Sequence, residues 1–203
     1  MEITQNQYYS LRSKTFNPEY LKSLEQEILA SPYLAESKLS QHFTGTKGFS
    51  IVFQRSQVEM VNQQFPFLQS YLQTALMPQC NVFYLNPLVI PAQGCVEPHI
   101  DCSIAEYCHQ TVIPKMVSVL YVRVPSDMEG GELILTRKGN QVGKIQPQQN
   151  TLLYFHGSLT HAVNRVKTSQ SRISLVCEQY VCDLTRYQQI PQFKIESKAY
   201  ATS

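Results

Sequence analysis

The sequence predicts a mainly β protein with helices at its N-terminal end, and three observations carry that reading. From Asn81 onward come short apolar runs rich in Val, Ile, Leu, Tyr and Phe: NVFYLNPLVI, KMVSVLYVRV, GELILTRK, NTLLYFH and SRISLVCEQYV. Turn signals separate them, at Pro91-Ala92-Gln93-Gly94, Gly130-Gly131, Gly139-Asn140 and Thr168-Ser169-Gln170, with no helical pattern between. Such a series argues for an antiparallel sandwich or barrel. The third observation is composition: 203 residues, 43% hydrophobic and 16% charged, suit one domain with its own core.

The N-terminal elements follow from local signals. Asn17 is a candidate N-cap with Pro18 at the first helical position, and Leu21, Leu24, Ile28 and Leu29 recur at helical spacing. A polar loop through Gly45 and Gly48 precedes a strand candidate, FSIVFQ. From Gln57 to Leu76 a second helical pattern runs through Met60, Val61, Phe65, Leu68, Tyr71, Leu72 and Leu76, and Pro66 predicts a break within it. The expected plan is a single domain over 1–203. Residues 1–80 are mostly helical support covering one sheet face, 81–182 form the β core, and 183–203 form a C-terminal extension.

Charge and cysteine usage exclude several roles. A formal charge of +2, with Lys and Arg scattered, does not suit a polyanion partner, so no nucleic acid is expected. No apolar run reaches membrane-spanning length, and MEITQNQYYS lacks a basic stretch followed by an apolar one. A cytoplasmic protein without a membrane role is expected. None of the six cysteines forms a Cys-x-x-Cys pair, so reduced thiols are expected, with Cys177 and Cys182 packing as small apolar groups.

The chemistry starts at VEPHIDCS. On a strand, residues two apart share a face, so His99 and Asp101 would project together. An imidazole beside a carboxylate suits iron or manganese, or a simple His–Asp hydrogen bond. YFHGSLTHAVNRV adds His161, which would complete a two-histidine, one-carboxylate triad of the kind found in non-haem Fe(II) oxygenases. Eleven residues on stands Arg172, in SRISL. A hairpin of that length would return it alongside the metal, where a guanidinium holds a carboxylate by two parallel hydrogen bonds. The remaining histidines, His42, His109 and His156, read as surface or hydrogen-bonded residues, and Tyr84 as packing.

His99-x-Asp101, His161 and Arg172 in this order resemble the 2-oxoglutarate- and Fe(II)-dependent dioxygenase superfamily. GGELIL, LLYFHGSLTHAVNRV and RISL are similar to its prolyl-4-hydroxylase-like branch, over about residues 81–182. The resemblance implies a double-stranded β-helix, or jelly roll, and a hydroxylase. His99, Asp101 and His161 would bind Fe(II), and Arg172, Tyr121 and Ser174 would bind 2-oxoglutarate. O2 would be the oxidant and ascorbate a reductant. Halogenating relatives lack the metal carboxylate, and nucleic-acid repair relatives carry a second arginine where this chain has Glu178. The expected substrate is an amino acid, a peptide or protein residue, or a small natural product, and the alternative is a non-catalytic sensor on the same fold. Oligomeric state is not legible. Strand alternation from Arg172 turns Ser174, Val176 and Glu178 to one face. Glu178 is thus expected inward, meeting a basic or amide group of the substrate, or else a structural partner such as Arg123 or a tyrosine hydroxyl.

Overall fold

Alternation along two strands sorts the core of the computed structural model, which describes residues 3–36 and 43–200. In Thr151–His156, Leu152 and Tyr154 join one apolar cluster while Leu153 and Phe155 join another. In Arg172–Tyr180, Ile173, Leu175 and Cys177 face the first cluster, and Val176 packs against the second. The first cluster lies under the helices and the second between two sheets, so these strands are covered on both faces. Each fully buried Leu, Ile or Phe stabilises this arrangement by roughly 1.5–3 kcal/mol.

The larger sheet is antiparallel. Its order is Ile3–Gln5, Tyr9–Ser13, Thr151–His156, Met116–Arg123, Arg172–Tyr180 and Val82–Ile90. Along the free side of Val82–Ile90 two short strands follow one another, Lys47–Gly48 and Ser50–Gln54, and the latter pairs with Phe193–Glu196. The smaller sheet runs Asn140–Ile145, Leu133–Arg137, Thr160–Val163, Cys95–His99 and Phe43–Thr44. Two facing antiparallel sheets of this kind form the double-stranded β-helix expected from the sequence.

The helix over Pro18–Ala30 begins as its sequence indicates, with the Asn17 side chain accepting from Tyr20 N at 2.7 Å. Leu21, Leu24 and Ile28 are buried, whereas Leu29 is exposed. Its angular position puts it off the stripe that the sheet covers. The break at Pro66 is present: helices Val58–Gln64 and Gln69–Ala75 are separated by a 3-10 turn over Pro66–Leu68. The first eighty residues are less helical than expected. Their described residues supply six strands to the two sheets: Ser50–Gln54 is the expected FSIVFQ strand, and the other five are short segments recruited by unpaired sheet edges. His42 lies outside the described residues. No helix among the described residues is long and apolar enough to cross a membrane. The six cysteines are free thiols, and all but Cys102 are buried.

Candidate active site

Three side chains from two strand ends and one turn converge between the sheets. His99 closes the strand Cys95–His99, His161 lies in Thr160–Val163, and the two are paired directly in the register of the smaller sheet. Their rings lie 4.3 Å apart. Asp101 lies beyond the strand, so the pleat argument that predicted its orientation reaches only as far as His99. Even so, the carboxylate meets both imidazoles: Oδ1 is 3.3 Å from His99 Nε2, and Oδ2 is 3.4 Å from His161 Nε2.

The backbone sets which nitrogen of each ring faces the carboxylate. Nδ1 of His99 lies 2.8 Å from the Glu97 carbonyl and Nδ1 of His161 lies 3.3 Å from that of Leu159. A carbonyl can only accept, so each Nδ1 donates its hydrogen two residues back and Nε2 is left to ligate. The turn before His161 is tightly built, since a Cβ on Gly157 would come within 2.1 Å of the Pro114 carbonyl oxygen.

These groups fit a divalent cation. Asp101 Oδ2 is buried and accepts no hydrogen bond, and one ligand atom from each residue lies within 4.8 Å of the other two. Two lone-pair nitrogens and a carboxylate facing one another need a proton or a metal between them, and this donor set suits iron. The electrostatics agree. Burial raises the carboxyl of Asp101, but the charge of His161 and the hydrogen bond and charge of His99 outweigh it and hold the group below its usual range. Burial depresses His161, whereas in His99 the hydrogen bond and charge of Asp101 overcome burial and raise it. One positive charge is thus favoured on the pair and a second is not.

The same cavity continues to a buried cation. His99, His161, Val176, Tyr121 and Arg172 all line it, with Leu88 and Phe155 among its apolar walls. Arg172 is 2% exposed, and burial lowers its pKa. Its Nη1 donates to the Gly131 carbonyl at 2.7 Å and its Nε to Ser174 Oγ at 3.4 Å. Among the described residues no carboxylate pairs with it. Its guanidinium carbon lies 4.9 Å from the centre of the Tyr121 ring, and the Tyr121 hydroxyl is buried without a hydrogen bond. A buried guanidinium and an orphaned hydroxyl side by side call for an anion that accepts from both.

Arg172 does not arrive by a hairpin. The His161 strand belongs to the smaller sheet and the Arg172 strand to the larger, so the chain crosses the barrel and the arginine faces the histidines from the other wall. The expected turn fails because Val166–Lys167 pairs instead with Glu129–Gly130. There Gly130, at φ +72°, brings its Cα close to Arg165, and a Cβ would lie 2.2 Å from the Arg165 carbonyl oxygen. The residues read as bystanders lie elsewhere: His109 and His156 are exposed, and Tyr84 donates to Glu196 at 3.0 Å. Arg123 pairs with Glu25 at 2.7 Å.

Glu178 is inward and buried, as alternation predicts, and its partners are Ser103 and the Tyr180 hydroxyl, a tyrosine being one of the expected alternatives, in place of Arg123. Sequence reasoning missed the orienting carbonyls of Glu97, Leu159 and Gly131, and also Ser103. Only the Gly-Gly pair carried any signal, and it was read as a turn.

The profile of the 2OG-Fe(II) oxygenase superfamily matches residues 84–177, the segment that carries His99, Asp101, Tyr121, His161 and Arg172. Over this segment, a little under half of the chain, the sequence is similar to the 2OG-Fe(II) oxygenase superfamily. Members of that superfamily are 2-oxoglutarate-dependent oxygenases, and the family implies Fe(II), 2-oxoglutarate and O2. No curated protein matches the chain by sequence. Solved structures share the fold of this chain. A prolyl-4-hydroxylase from Pseudomonas putida is similar at TM-score 0.59 and 15% identity, over 87% of this chain and 95% of the other. The viral collagen prolyl hydroxylase of Paramecium Bursaria Chlorella virus-1, in its 2OG complex, is similar at 0.53 and 16%, over 87% and 98%. A Trichoplax adhaerens prolyl hydroxylase bound to a hypoxia inducible factor peptide fragment is similar at 0.55 and 15%, over 85% and 83%.

Proposed function

We propose that this oxygenase holds Fe(II) on His99, Asp101 and His161, and the distal carboxylate of 2-oxoglutarate on Arg172 and Tyr121. Its proposed activity is hydroxylation of an unactivated C–H bond of an amino acid, a peptide or protein residue, or a small natural product. The observation that carries this reading is the two-ended cavity. One end gathers three converging ligands suited to a cation, and the other sets a buried arginine beside an unbonded tyrosine hydroxyl, suited to an anion.

When bound, iron with 2-oxoglutarate and O2 supplies the oxidation: 2-oxoglutarate, O2 and R–H become succinate, CO2 and R–OH. The chain's own residues bind and orient. The Glu97 and Leu159 carbonyls keep each Nε2 aimed inward, so metal binding need not reorganise the rings. Arg172, already directed by Gly131 and Ser174, offers its remaining N–H groups as a fork, while the Tyr121 hydroxyl donates a further hydrogen bond. Leu88, Val119 and Phe155 keep water from the cavity.

The test is succinate formation from 2-oxoglutarate with Fe(II) and ascorbate, across panels of amino acids, peptides and small metabolites. Substrate-stimulated succinate with a product 16 Da heavier supports the reading. Binding of metal and 2-oxoglutarate without turnover on any panel member would favour a sensor module instead.

A further inference from the structure

The three converging ligands are not held in the same way. Each histidine is oriented from within its own strand, by the carbonyl two residues back. Asp101 lies past the strand end, in a turn where Ala105 N donates to Cys102 O at 2.9 Å, and its buried Oδ2 accepts no hydrogen bond. The polar anchor of that turn comes from the opposite sheet. Glu178, 3% exposed, accepts from Ser103 N at 3.1 Å on Oε2 and meets Ser103 Oγ at 2.5 Å on Oε1, and the Tyr180 hydroxyl donates to Oε2 as well. Next along the chain, Ile104 and Cys108 pack with Tyr84 and Tyr180 on the same sheet. The segment that carries Asp101 is therefore fastened to the larger sheet by Ser103 on Glu178, by the Ile104 backbone on the Tyr180 hydroxyl, and by one apolar patch.

We propose that Glu178 is the positioning residue of the metal carboxylate, acting through Ser103 and touching neither metal nor substrate. This rests on the reading of His99, Asp101 and His161 as metal ligands. Both carboxyl oxygens of Glu178 are engaged within the chain, so the group is not available as the partner of a substrate amine. Burial raises its pKa well above the usual carboxylate range, and the negative charge of Asp101 adds in the same direction. A neutral group of the same shape suits the site, and glutamine keeps the two bonds accepted on Oε2 while reversing the one that Ser103 Oγ donates to Oε1. The glutamine Oε1 accepts from Ser103 N and Tyr180 O–H, and its Nε2 donates to Ser103 Oγ. Alanine removes all three.

Co(II) titration of the full chain, followed by its visible absorption, tests the proposal with Glu178→Gln, Glu178→Ala and Ser103→Ala. Glu178→Gln is expected to bind Co(II) within about twofold of the parent, and Glu178→Ala at least about tenfold more weakly, with altered absorption bands. Ser103→Ala falls between them. A purely structural role would lower the melting temperature and leave the Co(II) affinity and spectrum alone, and that result overturns the proposal. Equal weakening in Glu178→Gln and Glu178→Ala overturns it too, by assigning the effect to charge. Should Glu178→Ala not fold, Ser103→Ala decides, and parental affinity there overturns it. Failure of the parent to bind Co(II) would remove the metal reading itself, a result distinct from all of these.

Discussion

The two ends of the cavity are built on opposite principles. At the metal end, three groups satisfy one another poorly because all are acceptors or lone-pair donors, and short local hydrogen bonds hold them in that arrangement. At the arginine end, a cation and a hydroxyl are held ready by burial, and among the described residues the arginine's hydrogen-bond partners are one carbonyl and one serine. The metal end is preorganised by geometry and the other end by desolvation. Removing a ligand at the first should therefore abolish binding, whereas changes at the second should grade the affinity of the co-substrate.

The largest effect is expected at the metal end. His99→Ala, Asp101→Ala or His161→Ala should reduce metal binding and 2-oxoglutarate turnover to background, with the fold kept because these residues lie at strand ends and a turn. Calorimetric metal titration beside circular dichroism checks this, and full turnover by Asp101→Ala would break the contrast. At the other end, Arg172→Ala removes hydrogen bonds to a carboxylate worth about 1.5–3 kcal/mol each, so 2-oxoglutarate affinity should fall roughly 10²-fold. Arg172→Lys keeps the charge but not the fork, and should raise the KM for 2-oxoglutarate by less, with metal affinity unchanged.

Tyr121→Phe sharpens the comparison most. Its hydroxyl is orphaned without ligand, so its loss should stabilise the ligand-free protein, by up to about 1–3 kcal/mol, while weakening 2-oxoglutarate by roughly tenfold. A thermal melt with and without 2-oxoglutarate reads both signs, and a destabilised ligand-free variant would show that the hydroxyl has a partner.

A separate effect concerns pH. The Glu178 carboxyl is raised in the folded chain, so its contribution is fully present below the unfolded value near 4.5. It is lost as pH climbs through the higher folded value, because the unfolded chain ionises first. Metal-free stability should fall across that window by at most about 1.4 kcal/mol per pH unit from this group. Urea titrations of the parent and Glu178→Gln from pH 5 to 8 should differ by that slope, and parallel curves would deny the shift.

What was legible in the sequence was local. Alternating apolar runs from Asn81 specify strands, Asn17-Pro18 starts a helix, and Pro66 breaks one. The order His99, Asp101, His161, Arg172 carries the proposed chemistry because residue type decides what can ligate iron or fork a carboxylate. The inward face of Glu178 was legible too, since strand alternation depends only on counting. The tertiary structure decided how those residues meet. Sheet membership depends on which edge a strand finds, so the crossing that sets Arg172 opposite His161 could not be read from the ten residues between them. The extra N-terminal strands follow the same rule, being recruited by open edges and not by their own propensity. The carbonyls of Glu97, Leu159 and Gly131 are invisible in sequence because every residue has one, and only the fold aims these three. The partner of Glu178 was likewise open until a turn 75 residues earlier in the chain brought Ser103 to it. Burial then made that contact strong, because a carboxyl sealed from water must take its hydrogen bonds from whatever the packing places beside it.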